Sequence, residues 1–153
     1  MREVRAAAAF PFSVHEAESL WYDTVRWPSW VDGLAHLAKV EGPWPEPGSA
    51  VIWDSFPAGR GRVVERVVSQ GPLVRQTSQV EDDSIRGRQT VTFTPADSGV
   101  DVDLVLEYEI KKSSIVTPLI DLLFIRRAMT MSLATTLRRF GVELEAANEL
   151  GPA

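Results

Sequence analysis

The chain has 153 residues, of which 44% are hydrophobic and 24% charged, with a formal net charge of -5 and no cysteine. That length predicts a single domain spanning residues 1–153 that buries about two thirds of its unfolded surface without a covalent staple. The missing cysteines exclude a disulfide framework, a thiolate metal site and a thiol nucleophile, and they fit a reducing cytoplasm. The acidic balance speaks against nucleic acid as a partner, because such affinity rests on neutralising phosphates.

Residues 2 to 10 read as a first strand, weak in propensity because of its alanines and ended by Pro11. The run Ala6–Ala9 is too short and too weakly apolar for a signal peptide. Ser13 followed by Glu16 makes a capping box, and Val14, Ala17, Leu20 and Trp21 recur at helical spacing, which predicts a first helix of about ten residues. Pro28 occupies a first helical position, so Pro28 to Leu34 reads as a short second helix or turn halted by Gly33.

Strands are predicted at Leu37–Glu41, Ala50–Ser55, Gly61–Ser69, Val74–Val80, Ile85–Thr94 and Val100–Ile110, bounded by Gly, Pro, Asp or Ser. In the last of these Val102, Leu104, Leu106, Tyr108 and Ile110 alternate with Asp101, Asp103, Glu107 and Glu109, so one face is covered and the other wet. In the strand before it the covered set is Ile85, Gly87, Gln89, Val91 and Phe93. Between residues 36 and 80 the inward side stays open, since Val63, Val64, Val67 and Val68 leave both faces of one strand partly apolar. The arginines at 60, 62, 66, 75, 86 and 88 read as a solvated sheet face laced with Glu65, Glu81, Asp82 and Asp83.

From Pro118 to Ala147 runs one long helical pattern, the only element long enough to lie across such a sheet. Leu119, Leu122, Leu123, Met129, Leu133, Leu137, Phe140 and Leu144 share a face that is expected to be buried, with Arg126 near its middle and Thr130 beside it. A guanidinium there must find a carboxylate, a carbonyl, water or a bound polar group. Two roles stay open for Arg126: a structural partner that snorkels to solvent or pairs with a strand acid, or a group that orients a ligand. Asn148 to Ala153 are expected to be disordered. The stretch Ile115–Ile125 falls far short of the ~20 residues that span a bilayer, so no transmembrane segment is expected.

Gln89 and Tyr108 are polar tips on the covered face, and with Arg126 and Thr130 they suggest a pocket with a few convergent polar groups. Of the tryptophans, Trp21, Trp27 and Trp30 are expected to plug the open end of the sheet, with Trp44 in a hairpin loop; Trp30 and Trp53 are the two expected to touch a guest. Neither a metal nor a cofactor is expected. His15 and His36 lack a second ligand at i+4, no Gly-x-Ser-x-Gly elbow or phosphate-cradling loop is present, and Gly59 and Gly61 read as a loop entering a strand. The acidic pairs Asp82/Asp83 and Glu107/Glu109 fall at a turn and on the outer face, which disfavours a paired-carboxylate hydrolase.

This order of elements resembles the START-like (SRPBCC) superfamily of polyketide cyclases/dehydrases and lipid-transfer proteins. Carrying the resemblance are the segment Asp23-Thr-Val-Arg-Trp-Pro-Ser-Trp-Val-Asp-Gly33, the Gly59-Arg-Gly-Arg62 stretch, the Phe93-Thr-Pro95 strand end and the hairpin at Asp97 to Gly99. It spans residues 2 to 147 and implies an α+β helix-grip fold. In such a fold a curved antiparallel sheet of about seven strands wraps a long C-terminal helix, two short helices follow the first strand, and a cavity lies between sheet and helix. The resemblance implies a small hydrophobic or amphipathic ligand, such as a lipid, polyketide or isoprenoid-like molecule. Its polar end is assigned to Gln89, Tyr108, Arg126 and Thr130, and its body to Trp30, Trp53, Phe93, Met129 and Leu133. Two other readings stand beside binding: an aromatase/cyclase that promotes aldol cyclisation or dehydration, and an interaction module with a filled cavity. No position matches a defined catalytic set.

Overall fold

A computed structural model describes residues 1–57, 59–111 and 119–149. Seven strands, β1 (Arg2–Phe10), β2 (Leu34–Glu41), β3 (Ala50–Ser55), β4 (Arg62–Gly71), β5 (Arg75–Glu81), β6 (Ile85–Ala96) and β7 (Gly99–Ile110), form one sheet. Its order is β1-β7-β6-β5-β4-β3-β2, antiparallel throughout. Helix α1 (Val14–Tyr22), a 3-10 turn (Thr24–Arg26) and α2 (Trp27–Trp30) follow β1, and α3 (Leu119–Glu149) closes the chain. This is the expected helix-grip architecture.

Local chemistry accounts for the elements. The Ser13 hydroxyl accepts from the Glu16 backbone N–H while the Glu16 carboxylate accepts from that of Ser13, completing the box that starts α1. The second helix is a single turn, shorter than Pro28 to Leu34, because β2 already begins at Leu34. Pro118 and the stretch Leu150 to Ala153 lie outside the described residues. Asn148, expected to be disordered, continues α3, its side-chain amide donating to the Leu144 carbonyl at 2.8 Å.

Pairing fixes the inward side that the sequence left open. Glu65 lies opposite Val80, Val80 opposite Gly87 and Gly87 opposite Tyr108, so Val63, Glu65 and Val67 share the concave face with Tyr108. Val64 and Arg66 face outward. A Cβ at Gly87 would sit 2.0 Å from the Glu107 carbonyl oxygen and 2.8 Å from Tyr108 Cα, so β6 and β7 approach there as only glycine allows.

Helix α3 packs chiefly on β1, α2 and α1. Leu133, Leu137, Phe140 and Leu144 are buried, with Phe140 set among Phe10, Trp21 and Trp30 at centroid distances of 5.6, 5.2 and 5.0 Å. Gly141 keeps the approach to β1 close, since a Cβ there would meet the Phe10 ring at 2.7 Å. The expected buried stripe holds only in this second half. Leu123 is 57% exposed and Met131 60%, while Leu122 and Met129 are half-buried. The described tethers all grip the helix from Ser132 onward: Ser132 and Thr136 bond Asp32, and Glu143 accepts from Arg26 at 2.7 Å.

Substituting Gly87→Ala should lower the unfolding free energy by about 1–3 kcal/mol, because the added methyl must push β6 from the β7 backbone. Urea denaturation should show a lower midpoint at an unchanged m-value.

Candidate functional site

Between the concave face and α3 lies a cleft of about 40 Å³ whose apolar walls are Trp21, Trp27, Trp30, Trp53, Leu104 and Leu133. Its polar lining is Arg60, Glu65 and Gln89 from the sheet side and Asp32, Ser132 and Thr136 at the helix side. That space suits a few waters, at roughly 10–15 Å³ each by this measure. A drug-sized guest needs ~300 Å³ or more.

The register explains why Glu65 meets Trp53. Trp53 lies opposite Val63, which makes Glu65 its diagonal neighbour across the β3–β4 pair. The Trp53 indole N–H donates to the Glu65 carboxylate at 2.7 Å. Above that ring lies the Arg60 guanidinium, 5.4 Å from the centroid. Its Nε donates to buried Asp82 at 2.6 Å, and the other Asp82 oxygen accepts the backbone N–H groups of Ser84 and Ile85. One carboxylate thus caps the β5–β6 turn and aims an arginine. Burial pushes the Glu65 carboxyl above its ordinary value, against the opposing pull of the Trp53 hydrogen bond and the Arg60 charge.

Asp32 closes the rim. Its backbone N–H donates to Thr136 Oγ1 at 3.0 Å, its carboxylate accepts from Ser132 Oγ at 2.8 Å, and Arg139 stands 3.6 Å away. The indole N–H groups of Trp27 and Trp44 donate to the carbonyls of Trp21 and Tyr22, both at 2.8 Å. The N–H of Trp30, on a residue only 1% exposed, has no acceptor among the described residues.

Four of the expected ligand-binding residues, Trp30, Trp53, Gln89 and Leu133, meet in this cleft. Phe93 is buried against Trp21, and Tyr108 is wholly buried with no hydroxyl partner among the described residues. Met129 is half-buried against the core. Arg126 and Thr130, expected on a buried face, are both exposed, and the Thr130 hydroxyl turns back to donate to the Arg126 carbonyl at 2.9 Å. The first half of α3 is not seated deeply enough to bury them. Sequence reasoning missed Glu65, Arg60, Asp32, Ser132 and Thr136, and it placed Glu65 and Asp82 on a solvated face where the structure turns both inward. The available signal was the alternation of Val63, Glu65 and Val67, masked by Val64 and Val68. His36 pairs with Asp54 on the outer face at 2.9 Å, and no group of three or more metal-ligating side chains occurs among the described residues.

No family model matches the chain, and no curated protein does. Solved structures match along almost its whole length. The Zhui aromatase/cyclase from a Streptomyces species superposes with a TM-score of 0.80 at 10% identity, covering 96% of this chain and 95% of that one. A START superfamily protein from Mycobacterium smegmatis gives 0.75 at 12% identity, covering 94% and 97%. The two-domain ARO/CYC StfQ of the steffimycin biosynthetic pathway gives 0.74 at 17% identity, covering 97% of this chain and 52% of that one. The fold is therefore START-like, of the kind seen in these aromatase/cyclases. No helix among the described residues is long and apolar enough to cross a membrane.

Because burial disfavours its charged form, Glu65 holds a proton to higher pH in the folded chain than in the unfolded one. As pH falls from neutral through the folded-state value this group adds stability, in full once the pH is below the unfolded-state value. Glu65→Gln keeps an acceptor for Trp53 and removes the charge. Its melting temperature should exceed wild type at neutral pH, and the gap should close on acidification. A gap that ignores pH in thermal melts would contradict this.

Proposed function

We propose that the protein binds a small, largely apolar or amphipathic molecule between the concave face of its sheet and α3, without a cofactor, in a reducing cytoplasm. The observation that carries this reading is the cleft itself, where four tryptophans frame a carboxylate and an amide and one buried indole N–H lacks an acceptor among the described residues. An interior built for packing alone would fill such a space with satisfied or apolar side chains. Likeness in fold to a START superfamily protein supports the same reading. A guest must widen the cleft, whose helix side is Ser132, Leu133 and Thr136, so widening works against the two hydrogen bonds that tether Ser132 and Thr136 to Asp32.

Native mass spectrometry of the purified protein should show a co-purified guest, and a neutral fluorescent probe such as phenylnaphthylamine should compete with it. Gln89→Phe, which fills the cleft from β6, should weaken the probe at least about ten-fold while the melting temperature stays close to wild type. Absence of both guest and probe binding, or a Q89F variant that binds as wild type does, would remove the reading.

A second reading is favoured by Glu65 beside Arg60 and by likeness to an aromatase/cyclase: the cleft would fold a poly-β-ketone chain into a near-attack shape. Glu65 would then move a proton at the reacting carbon. Incubation with such a substrate should shift products toward one cyclised species, and Glu65→Gln should abolish the shift. A product spectrum equal to spontaneous cyclisation would eliminate catalysis and leave binding in place.

A further inference from the structure

We infer that the guest is uncharged and carries a hydroxyl and a carbonyl on one edge, the hydroxyl donating to Glu65 and the carbonyl accepting from the Trp30 indole N–H. The inference rests on the proposed binding function and names the chemistry of its ligand.

Arg60, the cation in the cleft wall, is committed to Asp82 at 2.6 Å and lies over Trp53. Asp32 is committed to Ser132 and stands 3.6 Å from Arg139. A cationic guest would find the Trp53 face already taken by a guanidinium, and an anionic guest would meet Glu65 and Asp32. Arg126, which could have paired with an anion, is exposed on the helix instead. Burial's upward push on the Glu65 carboxyl agrees that the cleft disfavours bare charge.

Hydrogen-bonding capacity then gives the pattern. A carboxylate can accept at about four lone-pair sites, and Trp53 fills one of those on Glu65. An indole N–H can only donate, and that of Trp30 is buried without an acceptor among the described residues. Glu65 and Trp30 line the same 40 Å³ space, so a guest that widens it meets both residues. Gln89 offers a donor and an acceptor beside them and fits either neighbour.

The probes are naphthalene, a naphthol, a naphthol bearing an acetyl group too distant for an internal hydrogen bond, naphthoate and naphthylmethylammonium, each titrated calorimetrically into the full chain. The acetyl-naphthol should bind about ten-fold tighter than naphthalene, with the naphthol between them and both ions weakest. Trp30→Phe should cost the acetyl-naphthol several-fold more than it costs naphthalene and bring it to the naphthol's affinity on the same variant, the naphthalene change reporting the lost apolar wall alone. Glu65→Gln should shrink the naphthol's advantage over naphthalene, because a neutral acceptor bonds more weakly than a carboxylate. Equal binding of the three neutral probes would overturn this inference and leave the proposed function standing. Tightest binding by either ion would overturn it as well. If no probe binds although a guest co-purifies, this inference fails alone; if no guest co-purifies either, the proposed function fails with it.

Discussion

The structure depends on the seating of one ring. Phe140 meets Trp21, Trp30 and Phe10 edge-on, and that contact joins α3 to α1, α2 and β1 at a single point. Removing a buried ring of this size typically costs ~3–5 kcal/mol. The polar tethers lie around it: Asp32 holds Ser132 and Thr136 before the ring, and Arg26 holds Glu143 after it. Everything N-terminal to that clamp is held less. The same packing that buries Trp30 beside Phe140 leaves its N–H without an acceptor among the described residues, so one constraint positions both the helix and a donor in the cleft wall.

Charge inside the cleft is organised around a turn. Asp82 accepts two backbone N–H groups and the Arg60 side chain, so the end of β5 fixes where a guanidinium lies over Trp53. Trp53 in turn bonds Glu65. This chain of contacts runs from Asp82 in the β5–β6 turn through the loop residue Arg60 to Trp53 and Glu65 on paired strands, so turn and sheet together hold the polar groups.

Much of the fold was legible in the sequence because its signals are local. The Ser13/Glu16 box, the alternation from Val102 to Ile110 and the turn residues between strands each depend on a few neighbouring positions. The site was less legible because its facts are relational. Glu65 turns inward only through pairing with Val80 and Val51, and a strand with valines on both faces carries no such information alone. For Arg126 the helical projection was right about angle and silent about depth. A residue can lie on the apolar side of α3 and still stand in solvent when the helix is clamped a few turns further on. Gln89 was found because the alternation in its strand has an unambiguous face, whereas Trp30 and Trp53 were chosen for the wide apolar area of the indole.

Unpartnered buried groups do not by themselves mark a site. The hydroxyls of Tyr22 and Tyr108 also lack partners among the described residues, yet neither residue lines the cleft. What marks the cleft is coincidence in one place: a buried indole without an acceptor among the described residues, a carboxylate with spare lone pairs and an amide all belong to residues that line one small space framed by tryptophan. A phenylalanine at position 30 and a leucine at position 65 would remove the N–H and the carboxylate from that space while keeping its apolar framing. Breaking a packing rule twice in one small space is what a binding site requires and a solid core does not.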